Sequence, residues 1–109
     1  MYEKVNPVRD VAGRRAWMRM QDRCQCCRVH RSRTDFRGLS CHHIVKFKRS
    51  DEPTNYLCLC GHCHSRAEGV ERPKLTLAEC CRLKRVSNPD EFNLARLEQL
   101  RGSPIEMEG

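Results

Sequence analysis

Two short cysteine repeats, Cys24-Gln25-Cys26-Cys27 and Cys60-Gly61-His62-Cys63, stand 32 residues apart in the chain. Each C-x2-C spacing presents two thiolates to one side of a turn. Together they complete a tetrahedron of sulfurs around one zinc ion, with sulfur at about 2.3 Å from the metal. Cys24, Cys27, Cys60 and Cys63 are therefore the expected ligands of a structural Zn2+. The competing reading of the same residues is a set of buried free thiols, which small cores also hold. Four sulfurs saturate tetrahedral zinc, so the rest of the nine cysteines need other tasks. Cys58 reads as a small apolar strand residue, Cys41 as packing beneath a strand, and Cys80 and Cys81 as packing on a helix. Cys26 could replace a neighbouring ligand only by breaking the two-residue spacing.

A metal is also what a chain of this size needs. With 109 residues and 39% hydrophobic content it builds one domain, residues 1–109, around a thin core. No apolar run reaches the roughly 20 residues that span a bilayer, and the N-terminal stretch lacks an apolar leader segment. These features point to a soluble protein of the reducing cytoplasm, where paired cysteines bind metal more often than they form disulfides. A thiol redox role for Cys26-Cys27 or Cys80-Cys81 is disfavoured, because adjacent cysteines do not make the C-x-x-C redox arrangement.

Residues 1–9 read as a loose arm. Asp10 is an expected N-cap for a helix over about 10–23, weakened by Gly13. Within it Arg15, Arg19 and Arg23 form a basic stripe, while Val11, Trp17, Met18 and Met20 are free to pack. Residues 39–45 and 56–59 read as strands joined by a loop at 46–55, with a short helix from Gly61. Further helices are expected at about 76–86 and about 89–101. The second has Asn88-Pro89-Asp90-Glu91 as its start signal and Leu94, Leu97 and Leu100 as its apolar face. The tail at 103–109 reads as frayed. The fold class expected is a small zinc-stabilised α+β domain.

The histidines carry the functional signal. His42 and His43 lie together in the first strand. Asn55 follows His43 by 12 residues and opens the second strand, and His64 follows Asn55 by nine, directly after the second cysteine pair. Neighbours on a strand leave it in different directions, so His42 and His43 suit two different tasks. Cys63 and His64, neighbours on a helix, diverge by about 100°, so one turn can serve two metals. His30 reads as an ordinary surface histidine. His62 is left open between donating to a thiolate, contacting phosphate and facing water.

From Asn55 to His64 the chain matches Asn-Leu-x-x-Leu-Cys-x-x-Cys-His, with Tyr56 in the first Leu position. With His42-His43 and both cysteine pairs, residues 20–68 resemble the HNH endonuclease family. The resemblance implies a ββα-metal core flanked by N- and C-terminal helices. It further implies His43 as general base, Asn55 as the residue that orients His43 or braces the loop, and His42 and His64 as ligands of a catalytic divalent metal. The family often has a carboxylate at the position of His42. An all-imidazole pair favours Mn2+ or Ni2+, with Mg2+ possible. Residues 46–54 lack the Gly-Gly often found there in the family, and their one proline is Pro53, so the loop should have its own shape.

The formal charge of +7 fits a nucleic-acid partner. Residues 1–66 carry 14 Lys and Arg against 6 Asp and Glu, whereas residues 67–109 carry 7 against 8. Arg15, Arg19, Lys46, Lys48, Arg49 and Arg66 are the expected phosphate contacts, with DNA as the partner and no membrane. One active site nicks, and a monomer or a homodimer fits equally. Two readings remain: a metal-dependent HNH nuclease, and a non-catalytic zinc module that binds nucleic acid. Only the first needs a second metal site.

Overall fold

The structure, a computed structural model, describes residues 5–107. Four helices and a two-stranded antiparallel sheet make up its regular elements: α1 (Val11–Arg19), β1 (Leu39–His43), β2 (Tyr56–Cys60), α2 (Gly61–Ala67), α3 (Leu77–Ser87) and α4 (Leu94–Arg101). The result is a small α+β domain. The apolar core joins β2 to α2, α3, α4 and the chain after α4, with Leu57, Leu59, Leu97 and Leu100 at its centre. A second cluster of Trp17, Tyr56 and Cys58 seats α1 on the sheet. Among the described residues, no helix is long and apolar enough to cross a membrane.

The sheet register sets the site. Leu39 pairs with Cys60, Cys41 with Cys58, and His43 with Tyr56. β2 is buried along its whole length, and its outer edge is closed by Gln25. The Gln25 N–H donates to the Cys58 carbonyl at 2.8 Å, and its side-chain oxygen accepts from the Cys58 N–H at 2.9 Å. The first cysteine turn is thus pinned to the strand that leads into the second. β2 runs directly into α2, where Cys60 is the N-cap and its sulfur accepts from the Cys63 N–H.

Asp10 caps α1 as expected, accepting from the Gly13 N–H at 2.9 Å. Gly13 has a positive reason to be there. A Cβ at that position would stand 2.3 Å from the Asp10 carboxylate, so only glycine lets the cap close. α1 ends at Arg19, short of the expected residue 23, because the chain tightens there. Met20 N–H bonds back to Trp17 and Gln21 N–H to Met18, and Arg23 then bridges to His30. Trp17 is buried, but Val11 and Met20 face solvent.

The expected helix start at Asn88 is also displaced. Asn88 is instead the C-cap of α3, and α4 begins six residues later at Leu94, capped by Asn93. The reason lies in Lys84, which is fully buried. Its ammonium donates to Glu91 at 2.6 Å and to Asn88 at 3.2 Å, and it lies 4.8 Å from the centre of the Trp17 ring. Glu91 also accepts from the Trp17 indole, and Asn88 from Gln25. A buried ammonium demands such partners, and the two side chains that satisfy it are no longer free to cap a helix.

Neither expected loose end is loose in the described residues. Val8 N–H donates to the Ser50 hydroxyl, and Val8 accepts from the Asp51 N–H, so the chain before α1 lies along the 46–55 loop. Residues 1–4 of the expected arm lie outside the described residues. The stretch after Gly102 returns to the core, with Ile105 and Met107 each 6% exposed and the Ile105 N–H held by Glu98. Residues 108–109 lie outside the described residues. Ile105→Ala should therefore cost about 2–4 kcal/mol in chemical denaturation. A frayed tail would limit the change to about 0.5 kcal/mol.

Candidate metal centres

The sulfurs of Cys24, Cys27, Cys60 and Cys63 all lie within 4.8 Å of one another. The Cys27 and Cys60 sulfurs are 3.8 Å apart, matching the roughly 3.8 Å edge of a tetrahedron whose centre is 2.3 Å from each corner. Cys24 accepts from the N–H groups of Cys26 and Cys27 at 3.4 and 3.5 Å. Burial alone would push the Cys24 thiol up, but backbone hydrogen bonds at Cys60, Cys27 and Cys26 outweigh it and favour the thiolate. Burial pushes Cys63 strongly the other way, reinforced by the nearby charge of Cys24. The four sulfurs can all be charged together only with a cation among them, and zinc fits this donor set.

The remaining cysteines stay outside this cluster. Cys58, Cys80 and Cys81 are buried in apolar surroundings. Burial pushes Cys58 and Cys80 up to about 12 and Cys81 up to about 11, which makes them inert thiols.

A second ligand group is built on the opposite side of α2. His42 Nδ1, His64 Nε2 and a Glu68 carboxylate oxygen lie within 4.8 Å of one another. Glu68 Oε1 is 3.3 Å from His64 and 3.6 Å from His42. Donors about 2.1 Å from a shared ion stand about 3.0–3.4 Å apart, so the spacing suits a divalent cation. The two rings meet edge to face at 5.3 Å. His64 Nδ1 is 2.6 Å from the Ser40 hydroxyl, which in turn faces the Leu59 carbonyl. Donation from Nδ1 to Ser40 leaves the His64 Nε2 lone pair turned toward Glu68.

His42 provides the sharpest test of fit. It is 3% exposed, and its Nδ1 is buried with no hydrogen-bond partner. Burial, with the neighbouring His64 charge, pushes this imidazole down to about 4, so it is a neutral lone-pair donor at physiological pH. A neutral buried nitrogen that faces a carboxylate and another imidazole is what a metal ligand requires before the metal arrives. Burial tends to raise Glu68, but the hydrogen bond and charge of Lys46, with the two histidines, hold its carboxyl below the usual range.

His43 leaves the strand in another direction and meets Asp51. The imidazole Nε2 is 2.9 Å from Asp51 Oδ1. The same carboxylate accepts from Arg14 at 2.9 Å and from the Asp10 N–H at 3.0 Å. Burial works against the Asp51 charge, but the bonds from His43, Asp10 and Arg14 prevail and keep it ionised. An ionised Asp51 accepting from Nε2 leaves Nδ1 as the basic nitrogen of His43. Asn55 is fully buried. It braces the loop through the Val45 N–H at 2.8 Å and the Ser50 carbonyl at 3.0 Å. Of the two roles expected for Asn55, it takes the loop brace, and Asp51 orients the imidazole.

His42, His43, His64 and Glu68 share one open cavity of about 660 Å³, walled by Arg14, Arg15 and Arg19 of α1 and by Lys46 and Arg49 of the loop. Two expected phosphate contacts fall elsewhere. Arg66 donates to the Pro73 carbonyl at 2.7 Å and lies beside Cys26, because it leaves α2 on the far side from His64. Lys48 donates to the Val5 carbonyl. His62 pairs with Glu71 at the surface, and His30 caps the turn at Arg31–Arg33.

Glu68 and Asp51 escaped the sequence reading. Glu68 carried a signal, since it follows His64 by one helical turn at i+4. Asp51 carried none, because a loop residue shows no periodicity. Comparisons with family models, with curated proteins and with solved structures yield no match.

Protein purified without chelator should contain one tightly held zinc. Cys63→Ser should lose that zinc together with the cooperative unfolding transition, whereas Cys58→Ala should keep both. Elemental analysis and calorimetry read the difference. Full zinc retention in the Cys63 variant would exclude that sulfur from the cluster.

Proposed function

We propose that this chain is a divalent-metal-dependent DNA endonuclease of the HNH type, with a ββα-metal core formed by β1, β2 and α2. The observation that carries the reading is the pairing of two separate devices on one cavity floor. One is a buried, unpartnered imidazole nitrogen facing a second imidazole and a carboxylate. The other is a histidine anchored by an ionised aspartate. A non-catalytic zinc module accounts for the sulfurs and the cations but gives the second ligand group no purpose.

His42, His64 and Glu68 are the residues that would hold the catalytic ion. When bound there, a divalent cation supplies charge stabilisation at the phosphate and at the leaving oxygen. The chain itself does the rest. His43 Nδ1 takes the proton from the attacking water, and Asp51 holds the ring in the tautomer that can do so. Hydroxide attacks phosphorus in line with the departing 3′ oxygen, which takes a proton from solvent, leaving 5′-phosphate and 3′-hydroxyl ends as the family resemblance implies. Arg15, Arg19, Lys46 and Arg49 neutralise neighbouring phosphates and fix the strand over the floor. Asn55 acts indirectly, through the loop that carries Asp51. One site of this kind nicks a duplex.

Two nitrogens and one oxygen form a mixed ligand set, which suits borderline ions. Mn2+ or Ni2+ should support cleavage at least as well as Mg2+. Zinc-replete protein, supplied with each ion in turn, should convert supercoiled plasmid to the nicked form. His43→Ala should slow this by roughly 10²–10⁴-fold with an unchanged circular dichroism spectrum. Glu68→Gln should raise the metal concentration needed for half-maximal rate by more than about tenfold. Unimpaired cleavage by the His43 variant, or inactivity with every ion, would defeat the reading.

A further inference from the structure

The nuclease chemistry uses the histidines, the carboxylates and the rim cations, but leaves Phe47 without a task. Its side chain is 88% exposed. It sits mid-way along the turn at residues 46–48, between Lys46 and Lys48 and two residues before Arg49. A lone apolar side chain on a surface is ordinary, but the mounting of this one is not. Asn55 clamps both ends of the loop, through Val45 at 2.8 Å and Ser50 at 3.0 Å. Lys46 is paired with Glu68 of the ligand group at 3.0 Å, and Lys48 is tied back to the chain before α1. Arg49 holds a φ of +50°, a left-handed conformation that non-glycine residues adopt only under constraint. The loop is therefore braced at its base and carries an aromatic ring outward.

We propose that Phe47 is a wedge that inserts between base pairs of a DNA duplex lying over the cavity. This rests on the nuclease reading and narrows its substrate to duplex DNA with a deformable step near the cut. The chain length limits the distance. Four residues from His43 to Phe47 span at most about 14 Å, or about four base pairs at 3.4 Å each. Lys46 and Arg49 line the cavity and meet phosphates on its side, while the ring replaces the stacking it interrupts. Apolar wedges flanked by cations kink DNA in this way, and pyrimidine–purine steps yield most readily.

The test uses the full, zinc-replete chain with Mn2+ and a duplex carrying 2-aminopurine at successive positions around the cut. Wild-type protein should raise the fluorescence at a step within about four base pairs of the cleaved bond. Phe47→Ala should abolish that rise and weaken duplex binding by roughly ten- to a hundredfold, the size of one lost base–aromatic stack. Phe47→Trp should restore both. Hydrolysis of the small diester bis(p-nitrophenyl) phosphate should be the same in all three proteins. Equal binding and equal fluorescence in wild type and Phe47→Ala would overturn the wedge while leaving the nuclease reading intact. Failure of wild-type protein to hydrolyse the small diester with any ion would instead defeat the nuclease reading. Failure to bind the duplex at all would overturn the wedge.

Discussion

Everything in this small domain depends on holding the first cysteine turn against the start of α2. Two of the four clustered sulfurs come from residues 24–27 and two from residues 60–63. The backbone joins the same two regions independently, through the paired hydrogen bonds between Gln25 and Cys58. A sheet of only two strands is not stable by itself in water. Here it is closed on one edge by the cysteine turn and on its faces by α1 and the core helices. Without a cation among the sulfurs, burial keeps Cys63 a neutral thiol, and the sulfurs add no shared bond to that closure.

That closure also determines where the histidines point. α2 starts at the sulfur cluster and is only two turns long, so its side chains are sorted by angle. Cys63 faces inward to the sulfurs, while His64 and Glu68, four residues apart, face β1 and His42. Arg66 leaves on the far side and is lost to the cavity. On β1 the same logic runs through the pleat. His42 turns toward α2, and His43 turns toward the loop, where Asp51 is waiting. Two adjacent residues thereby acquire two environments: one buried and neutral, the other bonded to a carboxylate.

The parts of this arrangement that follow from spacing were legible in the sequence. The cysteine pairs, the two strands, the cap at Asp10 and the helix at Thr76 all rest on local rules, and each appears close to its expected place. The parts that depend on tertiary partners were not legible. Asn88 and Glu91 look like a helix start by composition, but the buried ammonium of Lys84 claims both side chains. Ile105 and Met107 look like a loose end because nothing local says that the core lacks a lid there. Gly13 reads as a weakness until the Asp10 carboxylate is seen to need the space. Asp51 belongs to the same class, since its role exists only once the loop folds back onto His43. Glu68 is different. Its four-residue offset from His64 was visible, and only the expectation of an all-imidazole site hid it.

The energetics of His42 give the strongest reason to regard the second ligand group as a site. A buried polar atom left without a partner costs about 1–3 kcal/mol, a large share of what a small domain has to spare. The Glu68 carboxylate at 3.6 Å is too far to satisfy Nδ1 by a hydrogen bond, and Lys46 holds that carboxylate from the other side at 3.0 Å. A purely structural histidine here would be better replaced by leucine, which fills similar space without the penalty. Protonation does not rescue it, because burial keeps the ring neutral down to about pH 4. A divalent cation at this point, as the proposed function requires, would satisfy the lone pairs of His42 and His64 and the charge of Glu68 together.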